Sequence, residues 1–367
     1  MPVQDFVEHP SPSTIRFELE PAINAFQSLM LMSKQYEYSG IAGWVYETLQ
    51  VMTAEEREAN ELVTRGLHYA ALPGPGWESF PAYLAGLENS DATILRDKML
   101  NAYDAQPVME GTGPALSTQQ ALESDEQYLT YLRQRFWPEH VNEPVEQQAY
   151  ELVSNPPAMK RLIIGHLSNM WQKYLAAEWD RVSPMLQESV RAFQQVNFRG
   201  ESFYEAACRI TGRELPEDKW GPIFEAAQRV VFVPNAHVGP YVFRVCFDRE
   251  DPVIMFRARL PEESIVDVPD LNRTEAVTRL SALADDIRLR ILRYVAERGE
   301  MRSQEIMEAL NLSQPATSRH LSQLAATGYL RERRCDGAKC YSLNAERISE
   351  TFQALSNFLL IGERRRK

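Results

Sequence analysis

The sequence predicts a mainly α protein: a large helical N-terminal domain carrying a small antiparallel β-meander, then a smaller helical C-terminal domain that ends in a hairpin. Three observations carry this. Apolar residues recur at helical spacing over most of residues 22–211. Three runs rich in Val, Phe and Tyr, namely RVVFV, YVFRVCF and VIMFRARL, lie between residues 229 and 260 with Asn, Gly, Pro and Asp between them. A fresh helical period starts near Thr274 and leads to two short β-like runs around Asp336-Gly337.

The totals bound what such a chain does. A length of 367 residues implies two or three domains, and 44% apolar with 25% charged residues is a globular composition. No run approaches the roughly 18 apolar residues of a membrane span, and the start MPVQDFVEHP lacks the basic-then-apolar order of a secretory signal, so a cytoplasmic protein is expected. Four cysteines, Cys208, Cys246, Cys335 and Cys340, are too few and too scattered for a disulfide framework. The net charge of −12 argues against a nucleic-acid partner until it is divided along the chain. From Leu271 onward there are 17 Lys and Arg against 12 Asp and Glu; before it there are 22 against 39. A basic end on an acidic body fits a module for nucleic acid joined to one with another task.

Along the chain, Ile15, Phe17 and Leu19 alternate with charged residues and predict a short strand with one buried face. Thr53-Ala-Glu-Glu56 is a capping box, in which hydroxyl and carboxylate satisfy amides at a helix start. Further helices are expected near 22–33, 41–51, 79–88, 119–136, 145–153, 158–178, 184–197 and 201–211, with breaks at Pro73-Gly-Pro-Gly76 and Pro156-Pro157. Tyr241, Phe243, Val245 and Phe247 share one strand face; Ile254, Phe256, Ala258 and Leu260 share another, and the three runs are expected to form the meander. The acidic, proline-punctuated stretch 261–272 reads as a linker, giving domains at 1–260 and 273–367.

In the second domain, Leu280, Leu283, Ala284, Ile287, Ile291 and Val295 form one stripe, with Arg279, Arg288, Arg290 and Arg293 mostly off it. A helix follows from Ser303 through Leu310. The turn Asn311-Leu-Ser313 leads to another, with Ser313 as N-cap, Pro315 in its first turn and Gly328 as its left-handed stop. Helix, short turn, helix is the geometry that lays the second helix in a major groove. The hairpin after it, 329–335 and 340–343 about Asp336-Gly337, is the wing of a winged helix-turn-helix.

Ala282-Leu-Ala-Asp-Asp-Ile-Arg-Leu-Arg-Ile-Leu292, Leu312-Ser-Gln-Pro-Ala-Thr-Ser-Arg-His-Leu321, Gly328-Tyr-Leu330 and Asp336-Gly-x-Lys-x-Tyr341 together resemble the arsenic-repressor (ArsR) family of winged-helix regulators. The resemblance covers residues 273–360. It implies a homodimer on a palindromic double-stranded DNA operator, usually as a repressor, with the helix from Ala345 to Leu360 pairing with the first helix of the module. Ile348, Phe352, Leu355 and Leu359 give that segment its packing face.

The candidate DNA contacts follow from side-chain chemistry. On the recognition helix, Gln314 suits a bidentate adenine contact, Arg319 suits guanine or phosphate, and Ser313, Ser318 and His320 add polar groups. On the wing, Arg333, Arg334 and Lys339 suit phosphates or the minor groove. Thr317, Leu321 and Leu324 face inward, and His320 has the alternative role of orienting the helix. Family members that sense metals use a Cys-x-Cys pair on the first helix of the helix-turn-helix or Asp/His pairs on the last helix. Residues 303–309 and 345–352 contain neither Cys nor His, so no metal is expected there. Cys335 and Cys340, set across the wing turn, are candidates for a redox pair or a soft-metal site, with Arg334 and Lys339 favouring thiolate; the alternative is two small wing residues.

Two features of the N-terminal domain are candidate ligand sites. One is the aromatic, proline-rich stretch 68–83, with Trp77 and Tyr83. The other is Arg244, Arg257 and Arg259, expected to project from one sheet face and able to hold a carboxylate or phosphate. Core filling and pairing with the acidic body are the competing readings. No phosphate-binding glycine loop, dinucleotide fingerprint, Gly-x-Ser-x-Gly or His-Glu-x-x-His is present, so neither an enzyme nor a cofactor is expected. The expectation is a regulator with a small-molecule effector. Its competitors are an enzyme-like N-terminal domain tethered to DNA and an architectural DNA-binding protein without a ligand.

Overall fold

The computed structural model describes residues 15–245, 251–261, 269–335 and 337–364. The start of the chain, Cys246 and Phe247, linker residues 262–268, Asp336 of the wing turn and residues 365–367 lie outside the described residues. The class is the expected one, mainly helical with small sheets. The compact units have bounds other than those read from the sequence. One gathers Glu20–Lys34 with Trp44–Arg181; the other gathers the chain up to Leu19, Gln35–Gly43 and everything from Val182. Among the described residues no helix is long and apolar enough to cross a membrane.

The first unit holds α1 (Pro21–Ser33), α2 (Gly43–Val51), α3 (Ala54–Glu61), α4 (His68–Ala71), α5 (Phe80–Asn89), α6 (Ala92–Asp104), α7 (Thr118–Ala121), α8 (Asp125–Arg133), α9 (Glu143–Val153) and α10 (Pro156–Met170). The capping box at Thr53 forms as expected, the Glu56 amide donating to Thr53 Oγ1 and the Thr53 amide to Glu56 Oε2. Glu56 also accepts from Lys173, Asn169 and Tyr174, and these donors, Lys173 foremost, hold its carboxyl down to about 2. Asn60 ties α3 to α1 through bonds to Leu29 O and Ser33 Oγ and meets His166 Nε2 at 3.1 Å.

Among the described residues, the one-turn α4 and two longer helices escaped the sequence reading. The longer two are α6, with an Asp91 cap on Thr93 and Ile94 amides, and α13 (Glu217–Glu225), whose internal Pro222 disguised it. Conversely, 158–178 and 184–197 are not separate helices. A π-helical turn at Trp171–Leu175 joins α10 to α11 (Ala176–Gln194), and Pro184 sits inside α11.

The second unit contains α12 (Phe203–Thr211), α13 and a four-stranded sheet of β1 (Ile15–Phe17), β2 (Val230–Asn235), β3 (Phe243–Val245) and β4 (Val253–Arg257). The expected antiparallel meander holds only for β3 against β4. The order is β1-β2-β4-β3, with Ile15↔Val230 and Val231↔Val253 registers parallel and Phe243↔Met255 antiparallel. The reason is visible in β2, where all six residues are buried. A strand with no solvated face belongs in the middle of a sheet, between β1 and β4. Its core stacks Phe17 on Phe193 and Phe232, with Trp220 and Phe224 of α13 and Ile210 of α12 in the same cluster.

The same unit carries α14 (Pro269–Leu283), α15 (Asp286–Arg298), β5 (Met301–Arg302), α16 (Ser303–Leu310), α17 (Gln314–Ala326), β6 (Leu330–Cys335), β7 (Ala338–Leu343) and α18 (Ala345–Arg364). The single stripe read from Thr274 is two helices, because Asp285 leaves the helix and caps α15 at the Arg288 amide, 2.9 Å. Ala282, Ile291, Val295, Ile306, Leu321, Leu324 and Tyr329 form the core, and β5-β7-β6 is the antiparallel wing sheet. Arg279 and Arg288, read as lying off the stripe, are both 8% exposed.

Candidate nucleic-acid interface

The helix α17 is set by its ends. Asn311 closes α16 in the left-handed region at φ 51°, which turns the chain in a few residues into α17. Gly328 at φ 82° stops α17, and a Cβ there would also meet Arg347 Nε at 3.3 Å. Ser313 occupies the N-cap position with extended backbone and makes no side-chain cap bond.

Between these ends α17 has two faces. Thr317, Leu321 and Leu324 are buried, whereas Ser313, Gln314, Ser318 and Arg319 are exposed. The inward face is fixed by Arg288 of α15, whose guanidinium donates to Gln323 Oε1 at 2.9 Å, Ala282 O at 2.6 Å and Ser281 O at 2.7 Å. Sequence reasoning missed Arg288 because an arginine beside an apolar stripe reads as surface. His320 is set apart from its exposed neighbours: its side chain is 14% exposed, and Nδ1 lies 3.9 Å from Asp285 Oδ1. Burial, which favours the neutral ring, pushes its imidazole below the ordinary value and outweighs Asp285, which favours the charged one. Of the two roles weighed for it, this placement favours orienting the helix.

The wing cations are each engaged by a carboxylate. Arg333 forks onto Glu300, Arg334 Nε lies 3.3 Å from Asp218, and Lys339 Nζ lies 2.8 Å from Glu332. Arg331, absent from the sequence-based candidates, meets Glu214 at 2.9 Å. Glu214 and Asp218 come from the start of α13 and the loop before it, so the segment Glu214–Asp218 lies against the wing through two ion pairs.

Cys335 and Cys340 are free thiols, as is Cys208. The expectation that neighbouring cations favour thiolate is overturned at Cys335, where a hydrogen bond with Cys340 pushes the thiol up to about 11. The two sulfurs and a Glu300 oxygen lie within 4.8 Å of one another, a donor set suited in type to a soft cation, with Arg333 already on the carboxylate. Glu300 was not legible as a neighbour of the cysteines, because β5 brings it there across the sheet.

The candidate ligand residues separate. Tyr83 is 3% exposed and its hydroxyl donates to Ala71 O at 2.5 Å; Trp77 packs edge-on to it at 5.7 Å and covers Gly86. Both serve the packing of α5. Arg257 and Arg259 converge on Glu275 of α14 at 3.5 and 3.8 Å, joined by Arg279 at 2.5 Å. The described partners of Glu275 do not include Arg244. Burial alone would raise the Glu275 carboxyl, and the surrounding arginines override it and hold it far below the carboxylate range.

The family model described as bacterial regulatory protein, arsR family, matches residues 285–332, which run from the cap of α15 to the first residues of β6. Over 85 residues the chain is 40% identical to the arsenic resistance transcriptional regulator ArsR2 of Pseudomonas putida, covering 21% of this chain and 74% of that one. The chain belongs to the arsR family. Two further arsR-type relatives align over shorter stretches. The arsenic resistance transcriptional regulator ArsR1 of Pseudomonas putida is 45% identical over 17% of this chain and 50% of its own, and a probable mercury resistance operon repressor of Streptomyces lividans is 44% identical over 19% and 54%. The chain thus spans about half the length of those two. No solved structure matches. The arsR-family likeness covers only the winged helix, and α16 in this member carries neither Cys nor His.

Proposed function

We propose that the protein is a sequence-specific DNA-binding transcriptional regulator, a repressor acting as a homodimer, in which the remainder of the chain receives a small effector and has no enzymatic role. The observation that carries the reading is the two-faced recognition helix: Gln314, Ser318 and Arg319 point to solvent from a helix whose other face is locked by Leu321, Leu324 and the Arg288 bonds. Donors held on a rigid element are what base readout requires. The printed names of the relatives, transcriptional regulators and an operon repressor, favour the same reading.

Dimerisation is supported by apolar side chains left in solvent on the first and last helices of the module. Val277 on α14 is 57% exposed, and Phe352 and Leu359 on α18 are 55% and 66% exposed. For an effector, a cleft of about 1300 Å³ lined by Tyr204, Trp220, Phe243, Arg331 and Lys339 offers room.

The test is fluorescence anisotropy of the full chain on the DNA upstream of its own gene against a scrambled duplex, at low salt. Preference for the upstream DNA is expected. Gln314→Ala and Arg319→Ala are each expected to cost about 1–3 kcal/mol, roughly a 5–150-fold weaker Kd on the specific duplex, with little change on the scrambled one. Equal affinity for both duplexes in the unaltered protein sinks the reading.

A further inference from the structure

Beside Glu275 the structure gathers more positive charge than that one carboxylate balances. A cavity of about 20 Å³ is lined by Arg213, Arg257, Arg279 and Arg347, together with Thr327 and the backbone about Gly239. Each guanidinium is partly engaged. Arg257 and Arg279 each reach Glu275 through Nη2, Arg213 Nη1 donates to the carbonyls of Pro240 and Ala326, and Arg347 donates to Thr327 O through Nε and to Glu350 through Nη1. Three donors of these arginines remain buried without a hydrogen-bond partner: Arg257 Nη1, Arg279 Nε and Arg213 Nε.

Buried charge without a counter-charge is unfavourable, and guanidinium donors are matched best by an anion. Glu350 is at the surface, 59% exposed, and the partly buried Glu275, 21% exposed, serves Arg257, Arg259 and Arg279 together. A single water needs roughly 10–15 Å³ of such space, so the cavity admits one small particle and no phosphate ester or nucleotide.

We propose that this cavity is a binding site for one small inorganic anion of halide or nitrate size, held by the buried guanidinium donors of Arg257, Arg279 and Arg213. The anion sits where β4, α14 and the end of α17 meet. Ala326 and Thr327, which line the same cavity, are the last residue and the C-cap of the recognition helix. Occupancy therefore fastens that end of α17 to the sheet. Its effect on operator affinity rests on the regulator reading, whereas binding itself does not.

The experiment uses the full chain and bromide as the probe. Crystals soaked in sodium bromide are measured at the bromine absorption edge, and an anomalous peak within hydrogen-bond reach of Arg257 Nη1 is expected. In solution, unfolding midpoints are compared in sodium bromide and sodium gluconate at equal ionic strength. Bromide at about ten times its Kd should raise the midpoint by roughly 3 °C. Arg257→Gln should abolish the difference, and Arg293→Gln, on the exposed face of α15, should keep it. Arg279→Lys serves if Arg257→Gln does not fold. No peak, a peak with no difference between the salts (an adventitious ion only), or a difference that survives both Arg257→Gln and Arg279→Lys overturns the proposal. Because no DNA is present, failure here leaves the regulator reading standing, and failure of that reading leaves the anion site standing.

Discussion

Glu146 of α9 shows how one side chain sets the response of its unit to pH. Burial pushes its carboxyl up to about 7, opposed only partly by Arg65, and its Oε2 has no hydrogen-bond partner. An acid whose folded pKa lies above its unfolded value of about 4.5 binds the extra proton in the native state. Its contribution is therefore full below pH 4.5 and is lost as pH rises through 7. His68 and His166, both pushed down to about 4 by burial, act with the opposite sign: their contribution is full above pH 6.5 and is lost as pH falls towards 4. Comparing Glu146→Gln with the unaltered protein cancels the histidine contributions. Urea unfolding should find the variant more stable by on the order of 2–3 kcal/mol at pH 8.5, with the gap closing towards pH 5. A gap independent of pH would show that the carboxyl ionises normally in the folded protein.

At the scale of elements, the segment Glu214–Asp218 competes with DNA for the wing. Arg331 and Arg334 must leave Glu214 and Asp218 before either reaches a phosphate. The pairs are half-exposed, so each is worth only about 0.2–1 kcal/mol. The double variant Glu214→Gln, Asp218→Asn should thus bind the upstream DNA a few-fold more tightly at low salt, with the advantage shrinking as salt screens the pairs. Titrations at two salt concentrations decide it; unchanged affinity at low salt would mean that the wing does not approach DNA by this edge. The same elements explain what was legible. The helix-turn-helix could be read because Asn311, Pro315 and Gly328 are local signals that act on their own backbone. The pairing of β2 with β1 could not, since it joins Val230 to Ile15 across more than two hundred residues.

For the whole molecule, the exposed apolar residues of α14 and α18 set the expected assembly. Phe352→Asp with Leu359→Asp should convert a dimer to a monomer in sedimentation, and weaken operator binding through loss of the second half-site contact. A dimer that survives both substitutions would place the interface elsewhere. The sequence by itself determined the helical class, the basic C-terminal module, its arsR-family likeness and the solvent row Gln314, Ser318 and Arg319, because periodicity, caps and turn residues are local properties. Tertiary structure alone decided which charges are buried. Arg279 and Arg288 look like surface residues beside an apolar stripe, and Arg257 and Arg259 look like free sheet cations; Glu275, Gln323 and the carbonyls that receive them are distant in the chain. A guanidinium enters a protein interior only when such partners converge on it, and convergence across elements leaves no mark on local sequence.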